Sequence, residues 1–464
     1  MKLNSPLQVY KYLPKINCGK CGEKTCMAFA SRLVDRSKKI EDCQILLQDR
    51  EKFLQLAELL APEIREITAG TRDSKVRIGG DEVLHRHQLT FFNPTVLAYD
   101  VWDTMEEAAL IERLKKISEF RKFYVGEYLR LDMIAVRSTG ENAAKFKSCV
   151  EKVTEVSTLP VMLCSFDPAV LEAGLEVCAD KKPVLYAATK DNWEQVSKLA
   201  LEYRVPVVLF SPGDLDCLKT LAVSFNKLGI NDIILDPGTY PEGSQLKATF
   251  ENFIKLRRAG IKESQKEIAY PIMAAPITAW MIKGDPIDAS YLEAALASIF
   301  MIKYADIMLL HSIEPYALLS EVYMRETMYT DPRTPLKVDS GVYKIGNPTK
   351  DSPVIATSNF ALTYYTVESD LSSGKIDCYL ASVDTGGIGV EAAVAGRQFT
   401  AAKIKETFDE AGFDFEEKTS HNTIILPGLA ARLQGGLEDV MGIKVLIGPV
   451  DSNQIPGWMD KNWL

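Results

Sequence analysis

Four cysteines crowd the start of the chain, Cys18, Cys21, Cys26 and Cys43, with the spacing C-x2-C-x4-C-x16-C. The first three stand in Cys18-Gly-Lys-Cys21-Gly-Glu-Lys-Thr-Cys26, where glycines give a thiolate loop the backbone freedom to wrap a metal centre and turn N–H groups inward. After Cys26 the run MAFASRLVDRSKK places Ala28, Phe29, Leu33 and Val34 on one side and predicts a helix that returns Cys43 as a fourth ligand. Three chemistries are open: a [4Fe–4S] cluster, for which three close cysteines and one remote one are common; a tetrahedral zinc; or four free thiols. Zinc ribbons usually pair two CxxC motifs, and this segment has one. No open ligand position is evident, and the radical-type CxxxCxxC spacing is absent, so electron transfer is the expected use of a cluster here. The remaining cysteines, Cys149, Cys164, Cys178, Cys217 and Cys378, read as small core or surface residues.

The elements that must position further chemistry follow from hydrophobic patterning. Residues 61–93 read as a polar, glycine-containing linking arm after the cluster module of residues 1–60, with His85 and His87 as a surface pair. From residue 94 to 330, apolar runs alternate with amphipathic stretches: Thr95–Val101, Met133–Val136, Val161–Phe166, Val184–Ala188, Val207–Phe210, Ile233–Leu235, Ile268–Met273 and Ile307–Leu310. Continuous apolar runs mark parallel strands covered on both faces, and eight strand–helix units predict a (β/α)8 TIM barrel, with a larger open sheet as the alternative. Residues at the carboxyl ends of its strands are Asp100, Asp103, Ser165, Asp167, Thr189, Asp191, Ser211, Asp214, Asp236, Ala274, His311 and Glu314, with His311 and Glu314 a possible acid–base pair. A docking scaffold is the plainer use of such a barrel.

Residues 331–352 are rich in Pro, Gly, Asp and Lys and read as a linker; together with the charged arm around 44–90 they are expected to let the end domains swing about the barrel. Residues 353–464 then alternate again, with runs at Pro353–Thr357, Asp377–Ser382, Thr423–Leu426 and Val445–Ile447, and predict a Rossmann- or flavodoxin-like sheet. The strand ends carry small or polar residues, in Thr357-Ser358-Asn359, Thr385-Gly386-Gly387-Ile388-Gly389, Pro427-Gly428 and Gly448-Pro449. Such ends suit a large flat ligand that approaches the backbone, or tight turns alone. GxGxxG is not present, so a dinucleotide site is poorly supported.

Composition closes several classes. The chain has 464 residues, is 47% hydrophobic and 25% charged, and carries a formal net charge of −9, which fits a folded multidomain protein and not a dedicated nucleic-acid binder. The opening MKLNSPLQVYKYLPK lacks the apolar core and cleavage site of a secretory signal, and no run of 18 apolar residues occurs. A cytoplasmic location without membrane insertion is the expectation.

The order of the parts carries a resemblance. A CxxCxxxxC…C module, a barrel and a small α/β domain containing SVDTGGIGVEAAVAG resemble the large subunit of corrinoid/iron–sulfur proteins, and more narrowly the archaeal gamma subunits of acetyl-CoA decarbonylase/synthase complexes. The likeness covers essentially the whole chain, including SPLQVYKYLPKINCGKCGEKTCMAFA, TSNFALTYYTVESD and LPGLAARLQGGLED. It implies that Cys18, Cys21, Cys26 and Cys43 hold a [4Fe–4S] cluster and that the C-terminal domain binds a corrinoid, a cobamide. The matching contact positions are Thr357, Ser358, Asn359, Thr363, Tyr364, Thr385, Gly386, Gly387, Ile388, Gly389, Val390, Glu391, Gly448 and Pro449.

Proteins of that family act as methyl carriers, and so as methyltransferases. Their Co(I) accepts a methyl group from N5-methyl-tetrahydrosarcinapterin or -tetrahydromethanopterin and exchanges it with the nickel–iron–sulfur centre of acetyl-CoA synthase, and the cluster reduces Co(II) back to service. The nucleophile is the cobalt, so no catalytic side chain is implied. The implied partners are a smaller TIM-barrel (delta) subunit, the nickel-containing beta subunit and the CO dehydrogenase subunits. His421 is the only histidine of the last domain and lacks a DxHxxG context, so a cobalt without a protein imidazole is expected. The alternatives are an electron-transfer subunit whose α/β domain binds a flavin or nucleotide, and a pterin methyltransferase barrel with a structural cluster.

Overall fold

A computed structural model describes residues 5–71, 74–140, 142–331 and 335–463. The chain falls into two compact units: one of residues up to 120 plus 131–330, and one of residues 121–130 plus 331 onward. Residues 1–4 of the expected cluster module and 332–334 of the expected linker lie outside the described residues.

In the first unit the cluster module is helical. Its core gathers Val9, Leu13, Phe29, Ala30, Leu33, Leu46 and Leu56 with Cys43. The stretch 61–93, expected as a linking arm, contains regular structure apart from residues 72–73, which lie outside the described residues. It forms an antiparallel pair, β1 (Glu66–Ala69) and β2 (Val76–Gly79), whose Ile67, Ala69 and Ile78 join the interior core of the barrel. The alternation of Ile67, Ala69 and Ile78 with polar neighbours is the strand signal, and it is short enough to be lost among charged residues. The module is tied to this arm by Arg36, whose Nη1 donates to the Gly80 carbonyl at 2.8 Å, whose Nη2 pairs with Glu82, and whose guanidinium lies 4.5 Å from the Phe92 ring centroid.

The barrel strands are β3 (Val96–Trp102), then, after the hairpin strands β4 (Lys122–Tyr124) and β5 (Glu127–Leu129), β6 (Met133–Arg137), β7 (Val161–Cys164), β8 (Val184–Ala188), β9 (Val207–Phe210), β10 (Ile233–Asp236), β11 (Met273–Ala274) and β12 (Ile307–Leu310). Eight parallel strands run in the order β10-β9-β8-β7-β6-β3-β12-β11. A parallel bridge between Leu235 and Ile272, with the Leu235 N–H donating to the Pro271 carbonyl at 2.8 Å, draws the two edges together. The seventh strand is shorter than the expected Ile268–Met273. Residues Lys266–Ile268 form a 3-10 turn, and Pro271 has no N–H to give a ladder.

Below the barrel, Arg257 is fully buried. Its Nη1 donates to Asp81 at 2.9 Å and its Nη2 to Asp306 at 2.5 Å and to the Tyr304 carbonyl at 2.8 Å. One guanidinium thus joins the arm, the helix Gly243–Ile261 and the start of β12.

The second unit holds a five-stranded sheet. Its strands are β13 (Gly341–Ile345), β14 (Val354–Ser358), β15 (Cys378–Val383), β16 (Thr423–Leu426) and β17 (Lys444–Ile447), in the order β13-β15-β14-β16-β17. All neighbours are parallel except β13, which runs antiparallel to β15. The expected linker 331–352 therefore contains an edge strand, hidden in the sequence by Gly341 and Lys344. Helices cover both faces over two cores, one around Phe399, Phe408 and Leu437, the other around Tyr364, Leu371 and Leu380.

The hairpin β4–β5 leaves the barrel sequence yet belongs to this second unit. Its two-residue turn, Val125 (φ 45°) and Gly126 (φ 89°), has the left-handed pair of a type I′ turn. Phe123 meets Tyr365 edge-on at 5.9 Å, and a Cβ on Gly126 would fall 2.3 Å from the Tyr365 hydroxyl, so only glycine fits that contact. The chain consequently crosses between the units three times, at residues 120–121, 130–131 and 330–331, and not on a single linker.

Candidate functional site

The four N-terminal cysteines line one small cavity together with Asn17, Thr25 and Phe29. Its wall is a loop rich in left-handed residues: Lys15 (φ 63°), Asn17 (φ 48°), Gly19 (φ 72°) and Gly22 (φ 85°). Such turns expose successive N–H groups to an anionic sulfur centre. The loop is braced by Asn17, whose Oδ1 accepts from the Cys26 N–H at 2.8 Å. Cys26 opens the helix Cys26–Val34, which Thr25 caps by accepting from the Ala28 N–H at 3.1 Å, so the positive end of the helix dipole faces the thiols. Cys43 follows a 3-10 turn, Ile40–Asp42, and is buried, whereas Cys18 is exposed. Among the described residues, no three His, Cys, Asp or Glu side chains converge as ligands of one metal ion. Four thiols around one cavity are a donor set that could hold a metal centre. Burial pushes the thiols of Cys149, Cys164, Cys178 and Cys378 up to about 12, which leaves them inert as thiolates; Cys217 is half-buried.

In the second unit, strand order reverses between β14 and β16, the topological position where open α/β sheets bind ligands. A cavity of about 500 Å³ opens there at the carboxyl ends of the strands. Of the positions singled out in the sequence, Thr357, Thr363, Gly389, Val390, Glu391, Gly448 and Pro449 line it. Gly389 precedes the short helix Val390–Ala395, and a Cβ there would meet only Phe360 at 3.7 Å and Thr363 at 3.8 Å, so its missing side chain leaves the cavity open. A Cβ on Gly448 would stand 3.1 Å from Ile425.

Ser358, Asn359, Tyr364, Thr385, Gly386, Gly387 and Ile388 are not brought to this wall, and several have a supporting task. Asn359 is buried. Its Oδ1 accepts from the N–H groups of Thr385 and Gly387, each at 3.0 Å, while its Nδ2 donates to Asp384 at 3.1 Å, so it fixes the loop that delivers Gly389. The Thr385 hydroxyl donates to the Ile388 carbonyl at 2.7 Å. Tyr364 faces the core on the other side of its helix, edge-on to Tyr343 at 5.5 Å.

The cavity also uses residues missed in the sequence. Leu362, Thr366 and Val367 share the helix face of Thr363, a spacing legible once Thr363 is chosen. Ser452, Ile455 and Trp458 come from the last helical segment, for which no local signal exists. No histidine is among the lining residues. His421 lies before β16, at the opposite end of the strands; its Nε2 engages the Ser352 carbonyl at 3.1 Å and its Nδ1 accepts from the Thr423 N–H at 3.1 Å.

At the barrel rim the expected His311–Glu314 pair is replaced by another. His311 Nδ1 lies 2.8 Å from Asp100, which also accepts from Arg113 and from Arg137, each at 2.8 Å. Although burial opposes it, the imidazole and the two guanidiniums hold Asp100 below the usual carboxylate range. Of the other rim residues, Asp167 and Asp214 cap helices, Ser165 accepts from the Asp167 N–H, Asp103 binds Ser138 and Thr139, and Ala274 is core, while Thr189, Asp191, Ser211 and Asp214 line a cavity of about 600 Å³. His85 and His87 stack at 5.6 Å.

Asp236 is fully buried beside Tyr186, whose hydroxyl donates to it at 3.0 Å, and burial without a cation pushes its carboxyl up to about 7. The folded chain therefore keeps a proton that the unfolded chain has already lost between the ordinary carboxylate range and pH 7. Stability falls as pH rises through that window and levels off above it. Asp236→Asn is expected to remove this slope, gaining on the order of 2–4 kcal/mol over wild type between pH 4 and pH 8. Urea midpoints of the two proteins across that range check this; parallel profiles would contradict a buried carboxyl without a cation.

A family model described as CO dehydrogenase/acetyl-CoA synthase delta subunit matches residues 66–459, and an Fe-S cluster family model matches residues 13–45. The chain is 61% identical over 467 residues to acetyl-CoA decarbonylase/synthase complex subunit gamma 2 of Methanosarcina thermophila, covering 100% of this chain and 99% of that relative. It is 51% identical over 470 residues to subunit gamma of Archaeoglobus fulgidus, with the same coverage. Among solved structures, dihydropteroate synthase from Thermus thermophilus in complex with 4-aminobenzoate aligns with a TM-score of 0.41 at 15% identity, covering 56% of this chain and 100% of that one. Among the described residues, no helix is long and apolar enough to cross a membrane.

Proposed function

Because this chain belongs to the family of acetyl-CoA decarbonylase/synthase complex gamma subunits, we propose that it is the corrinoid-bearing methyl carrier of such a complex, with a [4Fe–4S] cluster at Cys18, Cys21, Cys26 and Cys43. The carrying observation is the cavity of about 500 Å³ at the switch point of the C-terminal sheet, in a chain that also presents four cysteines around one glycine-rich loop. A bound corrinoid supplies a low-valent cobalt that takes up and passes on a methyl group, and a four-iron cluster supplies the single electron that restores the cobalt after oxidation.

The residues divide the work of holding such a group. Gly389 and Gly448 let a broad ring system approach the backbone, and Thr357, Thr363 and Thr366 offer hydroxyls along one wall. Ile355, Ile425, Ile455 and Trp458 offer an apolar recess. Asn359 holds the 384–388 loop in place. With His421 engaged at the far end of the sheet, no imidazole of this domain is at hand for the cobalt. The partners are the other subunits of the complex, and the donor is a methyl-tetrahydropterin.

The deciding measurement is cobalt and iron per chain, expected near one cobalt and about four irons. The Co(II) state should show an EPR spectrum free of splitting by a protein nitrogen. Gly389→Leu, which the backbone tolerates, should weaken cobamide binding about a hundredfold, roughly 3 kcal/mol, by filling the cavity. Flavin or nucleotide in place of cobalt, or full cobalt in Gly389→Leu, would refute the reading.

A further inference from the structure

Three barrel strands end around one cavity. Beyond the carboxyl ends of β7, β8 and β9, Phe166, Thr189, Asp191, Phe210, Ser211 and Asp214 line a space of about 600 Å³. That volume lies within the ~300–1,000 Å³ of small-molecule sites, and this rim is where parallel barrels place their chemistry. All of these residues belong to the first unit.

One wall is aromatic. The Phe166 and Phe210 ring centroids lie 5.5 Å apart, and Tyr186 packs against them at 6.0 and 5.9 Å, with its hydroxyl bonded to the buried Asp236. Phe166 is nevertheless 53% exposed, so part of this stack is uncovered and open to another flat ring. The polar wall is fixed in advance. Asn192 Oδ1 accepts from the Thr189 N–H at 2.7 Å, and its Nδ2 donates to the carbonyls of Phe166 and Ala187 at 2.8 and 3.1 Å, which ties the segments after β7 and β8 together. Ser211 differs. It is only 7% exposed and lines the cavity, yet its hydroxyl has no hydrogen-bond partner among the described residues. A buried hydroxyl in that position calls for a partner from outside the chain. The Asp191 carboxylate at the mouth has no ion-pair partner among the described residues either.

We propose that this cavity binds the methyl donor, with the reduced pterin ring seated against Phe166 and Phe210 and its amino and ring N–H groups bonded to Asp191, Asp214 and Ser211. The inference rests on the proposed function for the identity of the donor. The cavity's own chemistry selects the ligand class. Its free groups are two carboxylates and a hydroxyl, which suit an aromatic-type ring rich in N–H donors. Two carboxylates against the single Lys190 repel the polyphosphate of a nucleotide. A purely apolar ligand would leave the Ser211 hydroxyl unsatisfied.

The test is equilibrium dialysis of N5-methyl-tetrahydrosarcinapterin against the full chain without oxygen, with any cobalt held as Co(II) so that no methyl group moves. Wild type is expected to bind the donor saturably, and Phe166→Ala and Asp191→Asn each at least tenfold more weakly. Glu314→Gln removes the same charge from another exposed part of the rim and should bind as wild type does. All three positions are exposed or half-exposed, so urea midpoints should stay together. On adding the donor, amide exchange in residues 189–192 and 211–214 should slow in wild type and not in Phe166→Ala. Absence of binding to wild type would overturn the proposal. So would undiminished binding to both variants, or equal weakening in Glu314→Gln. Cobalt is measured on the same samples: its absence from wild type strikes the proposed function, whereas cobalt present with donor binding indifferent to both substitutions strikes this site alone.

Discussion

Cys43→Ser is expected to strip the chain of its iron–sulfur absorption and lower iron from the proposed complement of about four per chain to a small fraction, while the cobalt binding proposed for the other unit stays intact. Of the four proposed ligands Cys43 is the buried one, packed with Phe29, Leu33 and Leu46. A serine there replaces a soft thiolate with a hydroxyl, a poor ligand for iron, in a largely apolar core. Cys178→Ser, in the barrel's helical layer, should leave iron unchanged, because that thiol is inert by burial. Iron analysis with visible and EPR spectra of the three proteins decides the matter. Full iron in Cys43→Ser would remove Cys43 from the ligand set, and loss of iron in Cys178→Ser would place the cluster elsewhere.

Arg257→Met is expected to destabilise the first unit by ~3–5 kcal/mol, the usual cost of removing one partner from a buried ionic cluster. Asp81 and Asp306 would both remain buried without their cation, and the Tyr304 carbonyl would lose a donor. The damage should reach the cluster module. Arg36 of the module donates to the carbonyl of Gly80, the residue before Asp81, so one polar chain runs from the module through the arm to the helix Gly243–Ile261 and the start of β12. Adding Asp81→Asn and Asp306→Asn to Arg257→Met should recover at least half of the loss, because the unpaired charges go with their carboxylates. Urea unfolding of the three proteins reads this out. A loss under ~1 kcal/mol for Arg257→Met would mean that water or a rearrangement supplies the missing partner.

How much of this could be read beforehand varies with the range of the interaction. The barrel was legible because each buried parallel strand is a continuous apolar run, and the alternation of such runs with amphipathic helices is a local signal. The iron–sulfur module was legible because the types and spacing of its candidate ligands are written directly in the chain. The arm was not. Ile67, Ala69 and Ile78 count as core only because an open barrel end, made by residues far along the chain, needs filling. The edge strand Gly341–Ile345 is likewise held by β15, whose sequence lies some forty residues away. The hairpin at 122–129 carries its turn in Val125-Gly126, but nothing local states that Phe123 will meet Tyr365.

The candidate cavity shows the same division. Thr357, Gly389 and Gly448 could be named because strand ends and small residues coincide there, and Thr363 only through the family resemblance. Asn359 and Thr385 share that signature and turn out to brace the loop. A small polar residue at a strand end looks the same in sequence whether it faces a ligand or the neighbouring turn.

By itself, the sequence determined the elements and the chemistry available to them: four thiols with cluster spacing, eight apolar runs for a barrel, and a second α/β region with open strand ends. Only the tertiary structure decided which groups meet. It exchanged Glu314 for Asp100 as the partner of His311, brought Trp458 to the cavity wall, sent His421 to the far end of the sheet, and buried Arg257 between two carboxylates. The physical reason is that secondary structure answers to periodicities of two to four residues, whereas desolvation, hydrogen-bond satisfaction and packing are settled between groups that chain folding alone makes neighbours.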